Sequence, residues 1–113
     1  MIDAYSFGRI VIDGRTYTND VIILPNRVMD NWWRKEGHRL QIDDLKEVLK
    51  EELEVLIVGT GRWGLVKVPA ETRNHVESKG LELVSQRTSE ACETYNRLKQ
   101  SGKKVAAALH LSC

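Results

Sequence analysis

Between Val55 and Leu111 three short apolar runs alternate with two stretches of helical spacing, and that alternation restricts the fold more than any other feature of the chain. Val55-Leu56-Ile57-Val58 opens the series as an apolar strand. A helix is expected from Pro69, whose fixed φ suits a first helical position, to Gly80, although its apolar stripe is thin. Leu81-Glu82-Leu83-Val84 is the next strand. Thr88 or Ser89 then caps a helix with Ala91, Cys92, Tyr95 and Leu98 on one face, Glu90 and Glu93 near its positive end, and Gly102 past its close. The alanines at 106 to 108 favour helix. A strand over Val105 to Leu111 is nevertheless predicted, because the segment is short and Val105, Leu109 and Leu111 share one face at period two. The resulting β-α-β-α-β order calls for a sheet with helices on its faces, and small side chains at 106 to 108 would let a helix approach a central strand closely.

The first half reads as antiparallel. Ser6 to Ile12 and Arg15 to Thr18 flank Asp13-Gly14, a dipeptide that tolerates the positive φ angles of a two-residue hairpin turn. Val21 to Leu24 is a continuous apolar run ended by Pro25, as expected of a strand inside a sheet. A short Trp-Trp segment spans Asn31 to Arg34, and Leu40-Gln41-Ile42 is a brief extended piece. Asp43-Asp44 should then cap a helix carrying Leu45, Val48, Leu49 and Leu53 on its inner stripe.

A length of 113 residues fits one domain, 1–113, able to bury a core without disulfides or metal. Seventeen Lys and Arg against 16 Asp and Glu leave a formal charge of +1, so no global field draws the chain to nucleic acid or to an anionic membrane. No apolar run approaches the ~20 residues of a membrane-spanning helix. Cys92 and Cys113 are far apart, and Asp3 and Arg9 interrupt any apolar signal core, so a cytoplasmic setting is the expectation. No cofactor or metal is expected: His110 and Cys113 have ligand-like spacing, but His38, His75 and Cys92 are too scattered to complete a closed zinc site. No G-x-S-x-G, H-E-x-x-H or Walker A pattern is present, and no catalytic residue is assigned.

The candidate site lies after the strand Val55–Val58. Gly59-Thr60-Gly61-Arg62-Trp63-Gly64 has the G-x-G-x-x-G spacing of a dinucleotide loop, where glycines let backbone N–H groups approach a pyrophosphate. A dinucleotide site also needs a helix opening at the loop, and Leu65 to Pro69 reads as extended. The same glycines would serve as corners of a structural hairpin from Gly59 to Val68. Arg87, Thr88 and Ser89 open the next helix at the end of the neighbouring strand, so the two loops are expected to form one cleft able to hold an anion or phosphate. Trp32 and Trp33 are adjacent, so in an extended segment they point to opposite faces: the favoured expectation is that one fills the main core and the other packs under the Asp43 helix or the hairpin, and the alternative is that one is left for a partner. Trp63, at a glycine-rich tip, is the hardest aromatic to bury and the best interface candidate.

Taken together, Ser6-Phe7-Gly8-Arg9-Ile10, Gly59-Thr60-Gly61, Leu65 to Pro69, Thr88 with Ala91, Asn96 and Val105 to Leu109 resemble a small domain-of-unknown-function family. That family includes a mitochondrial respiratory complex I assembly factor and an adipogenesis-associated protein; the resemblance is closest to short, single-domain members from methanogenic archaea. It implies a three-layer α/β domain, a mixed central sheet with helices plus an additional β-hairpin layer. No catalytic residues carry over from it. It implies assembly or regulatory work, while the start at Met1-Ile2-Asp3, without an Arg- and Ser-rich presequence, argues against an organellar address. The expected function is therefore a non-enzymatic protein-interaction or assembly module whose partner is another protein or a second copy of the chain. The alternative is a small-ligand domain or enzyme using the cleft between 59–64 and 86–89.

Overall fold

The computed structural model describes residues 1–113. Two β-sheets and two helices form three layers. Strands β1 (Ile2–Ser6), β2 (Arg9–Ile12) and β3 (Arg15–Tyr17) make an antiparallel sheet in that order. The predicted turn joins β2 to β3: Asp13 and Gly14 both have positive φ, +49° and +80°, the conformation of a tight two-residue hairpin turn. The first strand adds a hairpin that sequence reading missed, paired to β2 from Ile2↔Ile12 to Ser6↔Arg9 with a bulge between Ile2 and Ala4.

The central sheet contains β4 (Val21–Ile23), β5 (Val28–Met29), β6 (Val55–Thr60), β7 (Glu82–Gln86) and β8 (Val105–His110), in the order β5-β4-β8-β6-β7. β6 pairs in parallel with β7 and with β8, and β4 runs antiparallel to both β8 and β5. Every residue of β4, β6 and β8 is buried, which explains their continuous apolar character. β8 is the middle strand, and Ala106, Ala107 and Ala108 have no solvent exposure. Their helix propensity is overridden by the position: a strand sandwiched between two layers needs side chains small enough for both.

Helix α1 (Ala70–Ser78) covers one face and α2 (Thr88–Gln100) the other. Pro69 is the residue before the first turn of α1, one position earlier than expected, and only Thr72 and Val76 of that helix are buried. On α2 the predicted stripe is present, with Ala91, Cys92 and Tyr95 buried and Leu98 partly so. Beside α2, the three-stranded sheet contributes Ile2, Ile10, Ile12 and Tyr17 to the same core, which meets Val21, Ile57, Val105, Ala107 and Leu109 from the central sheet. Burial of each such large apolar side chain is worth ~1.5–3 kcal/mol. The three-layer α/β architecture with an extra antiparallel layer is thus the one the sequence predicts.

The helix expected after Asp43 takes another form. In place of a helix from Asp43, two 3₁₀ turns span Ile42–Leu45 and Val48–Lys50. The carbonyl of Asp44, which an α-helix would commit to the N–H of Val48, accepts a bond from the Trp32 indole Nε1 at 3.0 Å. Leu45 and Val48 still reach the second core, where they meet Trp32, Leu40, Leu56 and Val76.

Candidate functional site

The carboxyl ends of β6, β7 and β8 meet at one side of the sheet, and a single hydroxyl ties them together. Thr88 Oγ1 accepts a bond from the Gly61 N–H at 2.9 Å and donates to the His110 carbonyl at 2.6 Å, while the Thr88 N–H donates to the Gly61 carbonyl at 3.2 Å. Thr60 Oγ1 donates to the Gln86 carbonyl at 3.0 Å, and the Arg62 N–H donates to the Ser112 carbonyl at 2.7 Å. Thr88 is therefore not the predicted cap. It is the first residue of α2, fully buried, and Arg87 occupies the capping position without a side-chain bond.

The first two glycines serve this junction. A Cβ at Gly59 would come within 2.8 Å of Leu109 Cδ2 and 3.0 Å of Thr88 Oγ1. At Gly61, where φ is +101°, it would meet the Cys113 carbonyl oxygen and His110 Cδ2 at 2.8 Å and the Ser112 carbonyl oxygen at 2.9 Å. The close approach that suggested a ligand is made by the protein's own segments. Downstream, residues 65–69 are non-helical and α1 begins only at Ala70, so the N-terminus a pyrophosphate requires is not at the loop.

The remaining candidates face outward. Arg62, Trp63, Arg87 and Ser89 are exposed and Gly64 is half-buried, whereas Gly59, Thr60, Gly61 and Thr88 are buried. A cleft of about 440 Å³ lies between the loops, lined by Tyr5, Arg62, Arg87, Ser89 and Glu90. Tyr5 donates its hydroxyl to the Leu111 carbonyl at 2.8 Å; burial raises its pKa, a neighbouring Cys92 adds to the rise, and Arg62 opposes it. Neither Arg62 nor Arg87 takes part in an ion pair.

Trp63 is 57% exposed and rests on Phe7, itself 49% exposed, with ring centroids 5.5 Å apart and planes at 51°. Leu65 is exposed nearby in the chain. The adjacent tryptophans divide as their alternation requires: Trp32 is 8% exposed within the second core, and Trp33 is 78% exposed. A shallow pocket of about 370 Å³ beside Trp33 is lined by Ile22, Met29 and Trp32 together with charged residues of the segment 30–47.

Sequence reading missed a polar cluster under this rim. Asp20 Oδ2 accepts bonds from His110 Nδ1 at 2.7 Å and Arg34 Nη1 at 3.0 Å, and Oδ1 accepts from the Leu111 N–H at 2.8 Å. Burial pushes the Asp20 carboxyl up, but the bonds from His110 and Leu111 and the charge of Arg34 outweigh it and hold the pKa below the ordinary value. Arg34 also donates Nε to the Gly37 carbonyl at 3.0 Å and stacks 4.7 Å over the Trp32 ring. Nδ1 of His110 faces both Asp20 Oδ2 and, at 3.1 Å, Arg34 Nη2, and Nε2 is left buried without a partner. His110 is thus committed to Asp20 rather than to Cys113. Nowhere in the chain do three or more His, Cys, Asp or Glu side chains converge as a metal site would require. Cys92 lies in the core with its thiol pushed up to about 12, chiefly by burial and secondly by Glu93, a state that disfavours thiolate chemistry.

These observations define a three-layer α/β domain in which the loops after the parallel strands expose Trp63, in contact with Phe7, and two arginines, Arg62 and Arg87, outside any ion pair. Residues 2–110 match the family model described as "Protein of unknown function (DUF498/DUF598)", and the chain belongs to that family. It is similar to NADH dehydrogenase (ubiquinone) 1 alpha subcomplex assembly factor 3 of Danio rerio, 29% identical over 96% of this chain and 63% of the relative. The chain thus spans about six-tenths of the length of that relative. Among solved structures it is similar to a conserved hypothetical protein from Pyrococcus horikoshii, 28% identical with a TM-score of 0.85 over 100% of this chain and 99% of the other. A protein described as an outer membrane protein from Bartonella henselae is also 28% identical, with a TM-score of 0.86 over 99% and 94% of the two chains. In this chain no helix is long and apolar enough to cross a membrane.

Proposed function

We propose that this chain is a non-enzymatic protein-interaction module of the assembly type, and that its contact surface is the rim carrying Trp63 and Phe7, extended by Trp33. The observation that carries the reading is Trp63 itself. A tryptophan held half-exposed on a hydrogen-bonded corner, its ring tilted against a second exposed aromatic ring, has the character of a binding hot spot. The name of the assembly factor relatives supports a role in bringing other proteins together. Affinity capture with the folded protein and with Trp63→Ala and Trp33→Ala variants tests it: loss of the same partner with Trp63→Ala is expected, and undiminished capture by a folded Trp63→Ala variant contradicts the reading.

The cleft of about 440 Å³ lined by Arg62 and Arg87 favours a second reading, a small anionic ligand held by those two side chains and the start of α2. A ligand at about 100 times its dissociation constant would stabilise the fold by ~2.7 kcal/mol. A thermal-shift screen of phosphates, nucleotides and small carboxylates should then give a hit that Arg62→Ala and Arg87→Ala remove. No hit in that screen would eliminate this second reading.

A further inference from the structure

We infer that the Trp63 rim receives an acidic segment of a partner protein, with an apolar side chain seated on the aromatic pair and carboxylates on the two arginines. The inference rests on the docking role proposed above and adds the chemistry of what docks. Trp63 stands in the chain between Arg62, which lines the cleft, and Gly64, whose Cβ position would lie 3.6 Å from Arg87 Cγ. The stem of Arg87 therefore packs near the backbone of Gly64, the residue after the tryptophan, and the two arginines line one cleft. Arg62 and Arg87, like Arg9, Arg15 and Arg97, have no carboxylate partner, and these two are the ones that line a common cleft. In a chain with a formal charge of +1, two arginines against the single acid Glu90 in the cleft lining are a local excess of positive charge.

The start of α2 adds to that excess. Ser89 lines the cleft within the first turn of a 13-residue helix, whose partial positive charge points the same way. Glu90 is the one acid in the lining, and it makes no ion pair with either arginine. A nucleic acid fits less well. Its phosphates need a basic stripe many charges long, and this cleft offers two cations with an acid between the loops. Guanidinium groups pair with carboxylates in a fork geometry, and Trp63, the chain neighbour of Arg62, offers an apolar seat together with Phe7. Complementary charge would steer encounter and set register, and the apolar anchor would supply most of the affinity.

The test is selection of short random peptides displayed against the immobilised, folded protein, followed by affinity measurement on the winners with fluorescent labels. Peptides rich in Asp and Glu beside a Trp, Phe or Leu are expected. Their affinity should fall about tenfold or more with Trp63→Ala, as for a hot-spot residue. It should fall likewise with the double change Arg62→Glu and Arg87→Glu, and weaken as ionic strength rises. Circular dichroism and thermal melts establish that each variant is folded. Winners that are neutral or basic, or that bind the double-arginine variant undiminished, would overturn the acidic partner while leaving a Trp63 docking surface standing. Winners indifferent to Trp63→Ala, or no winners at all, would overturn the docking surface as well. Binding of single-stranded RNA or DNA homopolymers in place of acidic peptides would also overturn the inference.

Discussion

The loop 59–64 has two halves with opposite surroundings. Gly59, Thr60 and Gly61 are buried against Leu109, Thr88, His110 and the last carbonyls of the chain, while Arg62 and Trp63 stand in solvent and Gly64 lies beside the Arg87 stem. In the first half glycine is required because the protein's own backbone and side chains occupy the space a Cβ would take. In the second half Gly64, with φ +71°, turns the chain so that the tryptophan is displayed. One repeated residue type thus reflects two causes, and spacing alone does not separate them. The buried, hydrogen-bonded half presents the exposed half, which makes the corner a mount and Trp63 the part mounted.

Substitutions should separate the two halves by size of effect. The largest is expected at Gly61: an alanine there meets two carbonyl oxygens and an imidazole carbon at 2.8–2.9 Å in a left-handed backbone conformation, and should cost about 3 kcal/mol or more in urea unfolding. Thr88→Val keeps the shape but strands the Gly61 N–H and removes a bond to the His110 carbonyl; it should cost ~1–3 kcal/mol by the same measurement.

Acid gives the next test. Asp20, which anchors His110 and Leu111 behind the inner half, has its folded pKa depressed below 3.8, so its contribution is present above pH 3.8 and is lost as pH falls through the lower folded value. Unfolding curves of the wild type should weaken on that descent, and those of an Asp20→Asn variant should weaken less steeply. A variant as acid-sensitive as wild type would remove Asp20 from the account. Smallest of all, Trp63→Ala should change stability by less than ~1 kcal/mol, because it deletes one exposed aromatic contact.

The fold was largely legible because its signals are periodic and local. Continuous apolar runs marked β4 and β6, period two marked β8 against the helix propensity of its alanines, and Asp13-Gly14 marked a turn. The segment after Asp43 misled because Leu45 and Val48, three apart, point inward from a 3₁₀ turn as well as from an α-helix, and the deciding bond comes from Trp32. β1 was missed because its side chains after Ile2 are mostly exposed and a bulge breaks the alternation. At the rim, the outward position of Trp63 followed from its place at a glycine-rich tip, whereas Trp33, expected to pack under a helix after Asp43 or the hairpin, is exposed, and that helix is absent. Thr88 looked like a cap because its place before a helix is what a cap requires; its use by Gly61 and His110 depends on residues 27 and 22 positions away. Asp20, Arg34 and His110 come together across 76 and 90 positions, and no spacing rule reaches that far.

The central claim, that the buried half of the loop holds the fold while the exposed half meets a partner, is tested most directly by measuring unfolding free energy and partner capture on the same two variants. Trp63→Ala is expected to melt close to the wild type and to lose the partner; Thr88→Val is expected to lose stability and, below its own melting temperature, to retain the partner. A folded Trp63→Ala variant that captures the partner as well as wild type would contradict the claim.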